Sequence, residues 1–290
     1  MKVVVVGGGA WGTAFATLLR ERGHDVTVAL RATIDDVPYE EAEFVVIAVP
    51  SSSFREALGH IRGSAPVLSL VKGLDPESGE RLSTLVVDRP VAVLSGPNMA
   101  EEVAASLPGA AVIAADDEEL LQFLQEAITS LAFRVYTNTD LIGVELCAAA
   151  KNVIGLAAGG VDGLGLGDNA KAAVITRGLA EMARLGEASG AQQETFSGLA
   201  GLGDLVVTCW HPSGRNRRAG ELIARGATPE DAKAQIGQVV EGLTTAPVLR
   251  DLSHRLGVEL PITEGVCAVL GGLPLHELFA TLMGRRPKDE

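Results

Sequence analysis

Lys151 stands in "ELCAAAKNVIGLAAGG" (145–160), a run of alanines, glycines and aliphatics, in a chain of 290 residues that owns six lysines against 18 arginines. Burying an ammonium among such residues disfavours its charged form and lowers its pKa toward neutrality, where a lysine can move a proton for a hydroxyl or carbonyl. On a helix, Val144, Cys147 or Ala148, Lys151, Ile154 and Ala158 share one face of small apolar side chains. The alternative is a structural lysine that snorkels or pairs with Glu145 or Glu181. A second lysine, Lys72 in "SLVKGL", directly follows an apolar run that reads as a strand, and Gly96 and Asn98 in "SGPNMAEEVA" follow the next one. In open α/β sheets ligands bind beyond the carboxyl ends of strands, so all three sit where a substrate or cofactor would be. Asn98 is also a candidate helix cap, and a solvated loop lysine is the plain alternative for Lys72.

Near the N-terminus, "VVVVGGGAWG" places Gly7, Gly9 and Gly12 in G-x-G-x-x-G spacing, between a strand-like run and a helix-like one. Gly7 permits the tight turn, Gly9 lets a pyrophosphate approach the backbone, and Gly12 lets helix and strand pack closely. With Ala10 and Trp11 they form a loop whose following helix points its N-terminus at phosphate charge. The alternative is a glycine-rich turn without a ligand. The second strand ends "VALR" with no acid to bind a ribose hydroxyl; Asp35 and Asp36 come later. Arg31 at that end suits a 2′-phosphate, which favours NADP without excluding NAD, and a plain surface arginine is the rival reading. Downstream, "GLGLGDNAKAAVITRG" contributes Asp168, Asn169, Lys171 and Arg177, "GLAGLGDLVVTC" contributes Asp204, and "HPSGRNRRAG" contributes Ser213, Arg215, Asn216, Arg217 and Arg218. Arg215 and Asn216 offer a fork of donors suited to phosphate, against the alternative of a basic surface patch. Acids here lack Cys or His partners, so no metal site is expected.

The elements that must position these residues change character along the chain. Residues 3–6, "DVTVALR", "FVVIAV", "PVLSLVKG", "PVAVLSGP", "GAAVIAA" and "FRVYTN" read as strands. They alternate with helices at "TAFATLLRERG", "SSSFREALGHI" (with serine caps) and "DDEELLQFLQEAITSL". That alternation predicts a mostly parallel sheet with helices on both faces. From about residue 141 the pattern is helical, including "AKAAVITRGLAEMARLGEASG", "GLTTAPVLRDLSHRLG" and "ITEGVCAVLGG". The expectation is an α/β Rossmann-like domain over 1–140 followed by an all-α domain over 141–290 that carries substrate binding and catalysis. The net charge of −13 repels a phosphate backbone, so no nucleic-acid partner is expected. Three cysteines (Cys147, Cys209, Cys267) without metal spacing suit a reducing cytoplasm, and neither a signal peptide nor an uninterrupted apolar membrane span is read.

Taken together, "GGGAWGTAFA", "VKGL", "SGPNMAEEVA", "AAAKNVIGLAAGGVDGLGLGDNAKAAVITRGLAEM", "TFSGLAGLGDLVVTC", "GRNRRAG" and "VVEGLTTA" resemble the bacterial-type NAD(P)-dependent sn-glycerol-3-phosphate dehydrogenases nearly end to end. The resemblance implies interconversion of dihydroxyacetone phosphate and sn-glycerol 3-phosphate with NADH or NADPH, without a metal, in a cytoplasmic homodimer that feeds phospholipid synthesis. It implies that Lys151 transfers the proton, that Lys72 touches substrate and nicotinamide, and that Asp204 lies near the substrate hydroxyls. Gly96 and Asn98 fall on substrate contacts. Gly214, Arg215 and Asn216 fall on the run that holds the substrate phosphate and reaches the cofactor. Trp11, Arg31, Ala100, Arg215, Val239 and Glu241 fall on cofactor contacts.

Three departures from the family pattern stand out. Asn98 replaces a serine, and its amide can still donate and accept. Gly214 replaces a serine before Arg-Asn and keeps only its backbone N–H. Between Arg31 and Phe44 the chain is shorter than usual, beside the adenosine half of the cofactor. Two other functions fit the broad architecture: another two-domain hydroxyacid or hydroxyacyl dehydrogenase, and a non-catalytic dinucleotide sensor. No histidine lies among the motifs around Lys151, which argues against the hydroxyacyl class. A sensor would be expected to have lost Lys151 or Asp204, and both are present.

Overall fold

β-branched residues run through Val3–Val6 without a polar break, which suits a strand buried on both faces. In the computed structural model, which describes residues 1–278, this run is β1 (Lys2–Val6). It is followed by α1 (Ala10–Glu21), β2 (Asp25–Ala29), β3 (Phe44–Ile47), α2 (Phe54–His60), β4 (Val67–Ser69) and β5 (Val91–Ser95). Then come α3 (Ala100–Ala104), β6 (Gly109–Ala114), α4 (Glu118–Ile128) and β7 (Phe133–Asn138). The seven strands form one sheet in the order β2-β1-β3-β4-β5-β6-β7, parallel except where β5 meets β6. Because side chains alternate faces, Val3 and Val5 pack with Phe15, Leu19 and Leu124, while Val4 and Val6 pack with Tyr39, Phe54 and Leu82.

After the sheet come α5 (Leu141–Gly163), α6 (Gly167–Ala188), α7 (Gln193–Ser197), a π-helical turn (Leu199–Gly203) and α8 (Asp204–Trp210). They are followed by α9 (Arg215–Ala224), α10 (Pro229–Ile236), α11 (Glu241–Leu256) and α12 (Pro261–Leu270). The expected order of an α/β region followed by a helical one is what the structure has. The chain forms two compact units. One comprises Met1–Ala149 with Gly186–Asp204, and the other Ala150–Leu185 with the chain from Leu205 onward. Asp140 roots the returning segment in the first unit. Its carboxylate accepts from Gly143 N (2.9 Å), Gln192 N (2.9 Å) and the Thr195 hydroxyl (2.6 Å). It therefore caps α5 while it fixes the turn before α7.

The second unit is built on backbone contact between α5 and α9. A Cβ on Gly159 would lie 1.8 Å from Arg217 O, and one on Gly220 would lie 1.9 Å from Leu156 O. Glycine at both places lets two helices approach more closely than any side chain would allow. Glu181 of α6 receives the first N–H groups of α12, from Ile262 (2.5 Å) and Thr263 (3.3 Å), and places a carboxylate at the positive end of that helix. By length and composition α5 could cross a membrane, with mean hydropathy 1.6, but 89% of its apolar window is buried within the protein. It is a core helix.

Two expected caps are absent. No serine side chain caps the 3₁₀ turn Ser51–Ser53 or α2. The N-cap of α3 is Met99 rather than Asn98, because Asn98 is engaged elsewhere.

Candidate active site

The glycine loop joins β1 to α1. Gly7 has φ +114°, in the region that excludes most side chains, and its N–H donates to Ala29 O at 2.9 Å. A Cβ on Gly12 would fall 2.1 Å from Gly7 O, so helix and loop touch backbone to backbone. At Gly9 the same atom would meet nothing within 4 Å, so open space lies at the position where a pyrophosphate approaches. Gly9 is also the N-cap of α1 and supplies no side-chain cap, so the helix end remains of the kind that receives phosphate oxygens. The buried indole Nε1 of Trp11 has no hydrogen-bond partner among the described residues, and its ring meets Phe15 edge-on at 5.6 Å. Ala100 begins α3 and packs against the core on the same face of the sheet. Taken together these residues fit a dinucleotide.

Arg31 follows β2, in a turn where Thr33 N donates to Leu30 O (2.8 Å) and Leu30 N to Thr33 Oγ1 (3.2 Å). It is not a lone surface cation. Its Nη2 donates to both carboxylate oxygens of Glu56 on α2, at 2.9 and 3.2 Å.

At the carboxyl edge of the same sheet, Lys72 Nζ donates to Gly96 O (3.1 Å), Asn98 Oδ1 (2.8 Å) and Asp204 Oδ2 (2.8 Å). An ammonium has three N–H donors, and these three acceptors hold the charge in one place. Asp204 is 3% exposed and also accepts from the Ser95 hydroxyl at 3.4 Å. The Asn98 Nδ2 is buried with no partner among the described residues, which leaves its two N–H donors for a ligand. Beneath this cluster the Cys147 thiol is pushed up, first by burial and then by Asp140 and Asp204, so it stays protonated and inert. The structure thus brings Lys72, Gly96, Asn98 and Asp204 together; the sheet-edge position of the first three is legible in the sequence, and the pairing of Asp204 with Lys72 is not. Ser95 is an addition that strand burial alone would not reveal.

In the helical unit Lys151 is 5% exposed, and its Nζ donates to Thr208 Oγ1 of α8 at 2.8 Å. It is buried rather than snorkelling. The carboxylates suggested as structural partners are engaged otherwise: Glu145 accepts from Ser83 N (2.8 Å), Ser83 Oγ (2.5 Å) and Arg81 (3.2 Å), and Glu181 caps α12. Gly155, one turn on, faces Thr208 and Asn216, where a Cβ would come within 2.9 and 3.2 Å. The small residues of α5 therefore make room for the lysine's own hydrogen-bond partner.

Asn216, at the start of α9, is a brace. Its amide donates to Asn152 Oδ1 (2.8 Å) and accepts from Gly242 N (2.9 Å). Gly214 is the N-cap of that helix. Exposed Arg215 donates to Val239 O at 2.9 Å, just before Glu241 opens α11. Arg217 and Lys171 share Asp162, at 2.5 and 2.8 Å, so they belong to a structural ion network. Asp168, Asn169 and Arg177 are exposed on α6, and no three His, Cys, Asp or Glu side chains among the described residues gather around a common point. Thr208 and Asn152 were not singled out from the sequence. A threonine within an apolar helix and an asparagine beside Lys151 were the only signals.

Comparison with known proteins covers both units. Residues 140–279 match the family model "NAD-dependent glycerol-3-phosphate dehydrogenase C-terminus", and residues 2–34 and 28–121 match its N-terminus counterpart in two pieces. The chain is 42% identical to a glycerol-3-phosphate dehydrogenase [NAD(P)+] of Streptomyces coelicolor, covering 100% of this chain and 98% of that protein. It is also 42% identical to one of Moorella thermoacetica, covering 98% and 96%. The crystal structure of glycerol-3-phosphate dehydrogenase from Coxiella burnetii superposes with a TM-score of 0.92 at 35% identity, over 98% and 99% of the two chains. The Streptomyces match runs over 331 positions against the 290 residues present here, and the N-terminal family match breaks just after β2.

Proposed function

The chain belongs to the NAD(P)-dependent glycerol-3-phosphate dehydrogenase family, and on that premise we propose that it interconverts dihydroxyacetone phosphate and sn-glycerol 3-phosphate by hydride transfer at C2. The observation that carries the proposal is the cluster of Lys72, Asn98 and Asp204, set on the sheet edge that also bears the glycine loop.

A bound nicotinamide dinucleotide would supply or accept the hydride. Gly7, Gly9, Ala10, Trp11 and Gly12 would hold its pyrophosphate, with Arg31, Ala100, Arg215, Val239 and Glu241 as further contacts. Lys151 in its ammonium form donates a proton to the C2 oxygen as the carbonyl carbon gains the hydride, and in its neutral form takes that proton back in the reverse direction. Thr208 Oγ1 keeps its Nζ in position. Lys72, held by three acceptors, acts as a fixed cation that stabilises negative charge developing on the substrate oxygen. Its partner Asp204 lies near the substrate hydroxyls. Asn98 offers its Nδ2 to a substrate oxygen, in place of the family's serine, with Gly96 beside it. Arg215 grips the substrate phosphate beside the N-terminus of α9, where Gly214 contributes backbone, and Asn216 holds that helix end in register.

The test is loss of the near-ultraviolet absorbance of NADH, and separately of NADPH, on adding dihydroxyacetone phosphate. Turnover that disappears in Lys151→Ala, with cofactor binding nearly intact, supports the assignment. Absence of turnover with both cofactors would favour a dinucleotide sensor instead.

A further inference from the structure

The missing stretch after β2 changes what can read the adenosine end of the cofactor. In the strand order β2-β1-β3, the link from β2 to β3 crosses over β1. Such parallel crossovers are usually made by an α-helix. Here residues 30–43 make it with only one 3₁₀ turn, Tyr39–Glu41. Tyr39, 1% exposed, with Ile34 and Val37, packs on the face of Val4 and Val6. The hydrophobic task of a helix is thus done by a short loop. The loop is tied to α2 by the Arg31–Glu56 ion pair at 2.9 Å and by a hydrogen bond between His60 Nδ1 and Asp35 Oδ1 at 2.8 Å.

Arg31 lies beside the phosphate loop, since a Cβ on Gly8 would strike the side chain of its neighbour Leu30 at 2.3 Å. That is the place from which a Rossmann unit reads the ribose 2′ position, with an acid for a hydroxyl or an arginine for a phosphate. No acid ends β2, but α2 supplies one. Glu56 meets Arg31 through both carboxylate oxygens, so the two alternative readers are present at once, paired with each other.

We propose that Glu56 is the residue that sets this chain's choice of dinucleotide, favouring NADH over NADPH. The inference rests on the dehydrogenase reading above. With a free ribose hydroxyl, Glu56 accepts the hydrogen bond and Arg31 keeps its partner. A 2′-phosphate must draw Arg31 away and leave Glu56 facing like charge. The side chains are 86% and 51% exposed, so the exchange is cheap, and Glu56 biases the choice without enforcing it.

The test uses direct binding, read from nicotinamide fluorescence with each reduced cofactor on the full chain. Glu56→Gln keeps size and polarity and removes the charge. The expected result is a roughly three- to tenfold rise in affinity for NADPH relative to NADH, shrinking as salt is added. Arg31→Gln is expected to weaken NADPH, and in the double variant the effect of Glu56→Gln should shrink to the part that comes from direct repulsion of the 2′-phosphate. An unchanged affinity ratio in Glu56→Gln, with both cofactors still bound, overturns the role of Glu56 alone. Failure of the unaltered protein to bind either cofactor overturns the dinucleotide site and this inference with it.

Discussion

Asp204→Ala removes the carboxylate that joins a returning helical segment to the sheet edge. The Asp204 side chain is 4% exposed and that of Lys72 is 17% exposed, with 2.8 Å between charged atoms. At an effective dielectric constant near 20 the gross attraction across that distance is about 6 kcal/mol, most of it offset by the desolvation of both groups. Removing one member of a buried pair costs about 3–5 kcal/mol, because the other charge is left uncompensated. Lys72 keeps Gly96 O and Asn98 Oδ1 as acceptors and some contact with water, so about 2–3 kcal/mol is expected here. Urea unfolding of Asp204→Ala, Lys72→Met and the double variant measures it, and the double variant should lose less than the sum of the singles. In the proposed reaction the untethered ammonium no longer waits at the substrate oxygen. A transition-state loss of about 2 kcal/mol corresponds to a roughly 30-fold fall in kcat/KM. If Asp204→Ala unfolds within about 0.5 kcal/mol of the parent and turns over normally, the cluster is neither a structural tie nor a catalytic one.

Other expectations follow from single observations. Gly9→Ala should leave stability unchanged and weaken cofactor binding, because its Cβ meets only open space. Gly12→Ala should lower both, because its Cβ lies 2.1 Å from Gly7 O; thermal melts with and without NADH separate the two. Arg215→Ala should raise KM for dihydroxyacetone phosphate at least about tenfold with a stable fold, since the side chain is exposed; an unchanged KM would place the phosphate elsewhere. Burial pushes the Glu145 and Glu181 carboxyls up from 4.5. The folded state therefore holds those protons more tightly than the unfolded one. Stability from this source is complete below 4.5 and declines as pH rises through the raised values. Glu181→Gln should flatten that decline in unfolding measurements across mildly acidic pH, and an unaltered slope would contradict it.

Local patterns were legible where neighbours in the chain are also neighbours in space. The four valines, the glycine spacing and the amphipathic run after it are one continuous strand–loop–helix unit, and the structure has it as such. The change from alternating elements to helices was equally visible, because it is written in residue periodicity. The caps were not. Ser53 and Asn98 are residue types that cap helices, but the hydrogen bond a polar side chain makes is decided by whichever partner lies nearest in three dimensions. For Asn98 that partner is Lys72.

The same reasoning divides the site. Sequence alone determined that Lys151 sits among small apolar residues, that a dinucleotide loop begins the chain, and that the link after Arg31 is short. Only the tertiary structure decided that Asp204, 132 residues from Lys72, contacts it. It likewise decided that Thr208 serves Lys151 and that an acid on α2 stands where β2 offers none. Periodicity records which face of an element is buried. Which charged groups then meet depends on strand order and on where the segment Gly186–Asp204 returns within the first unit, and no local pattern encodes either.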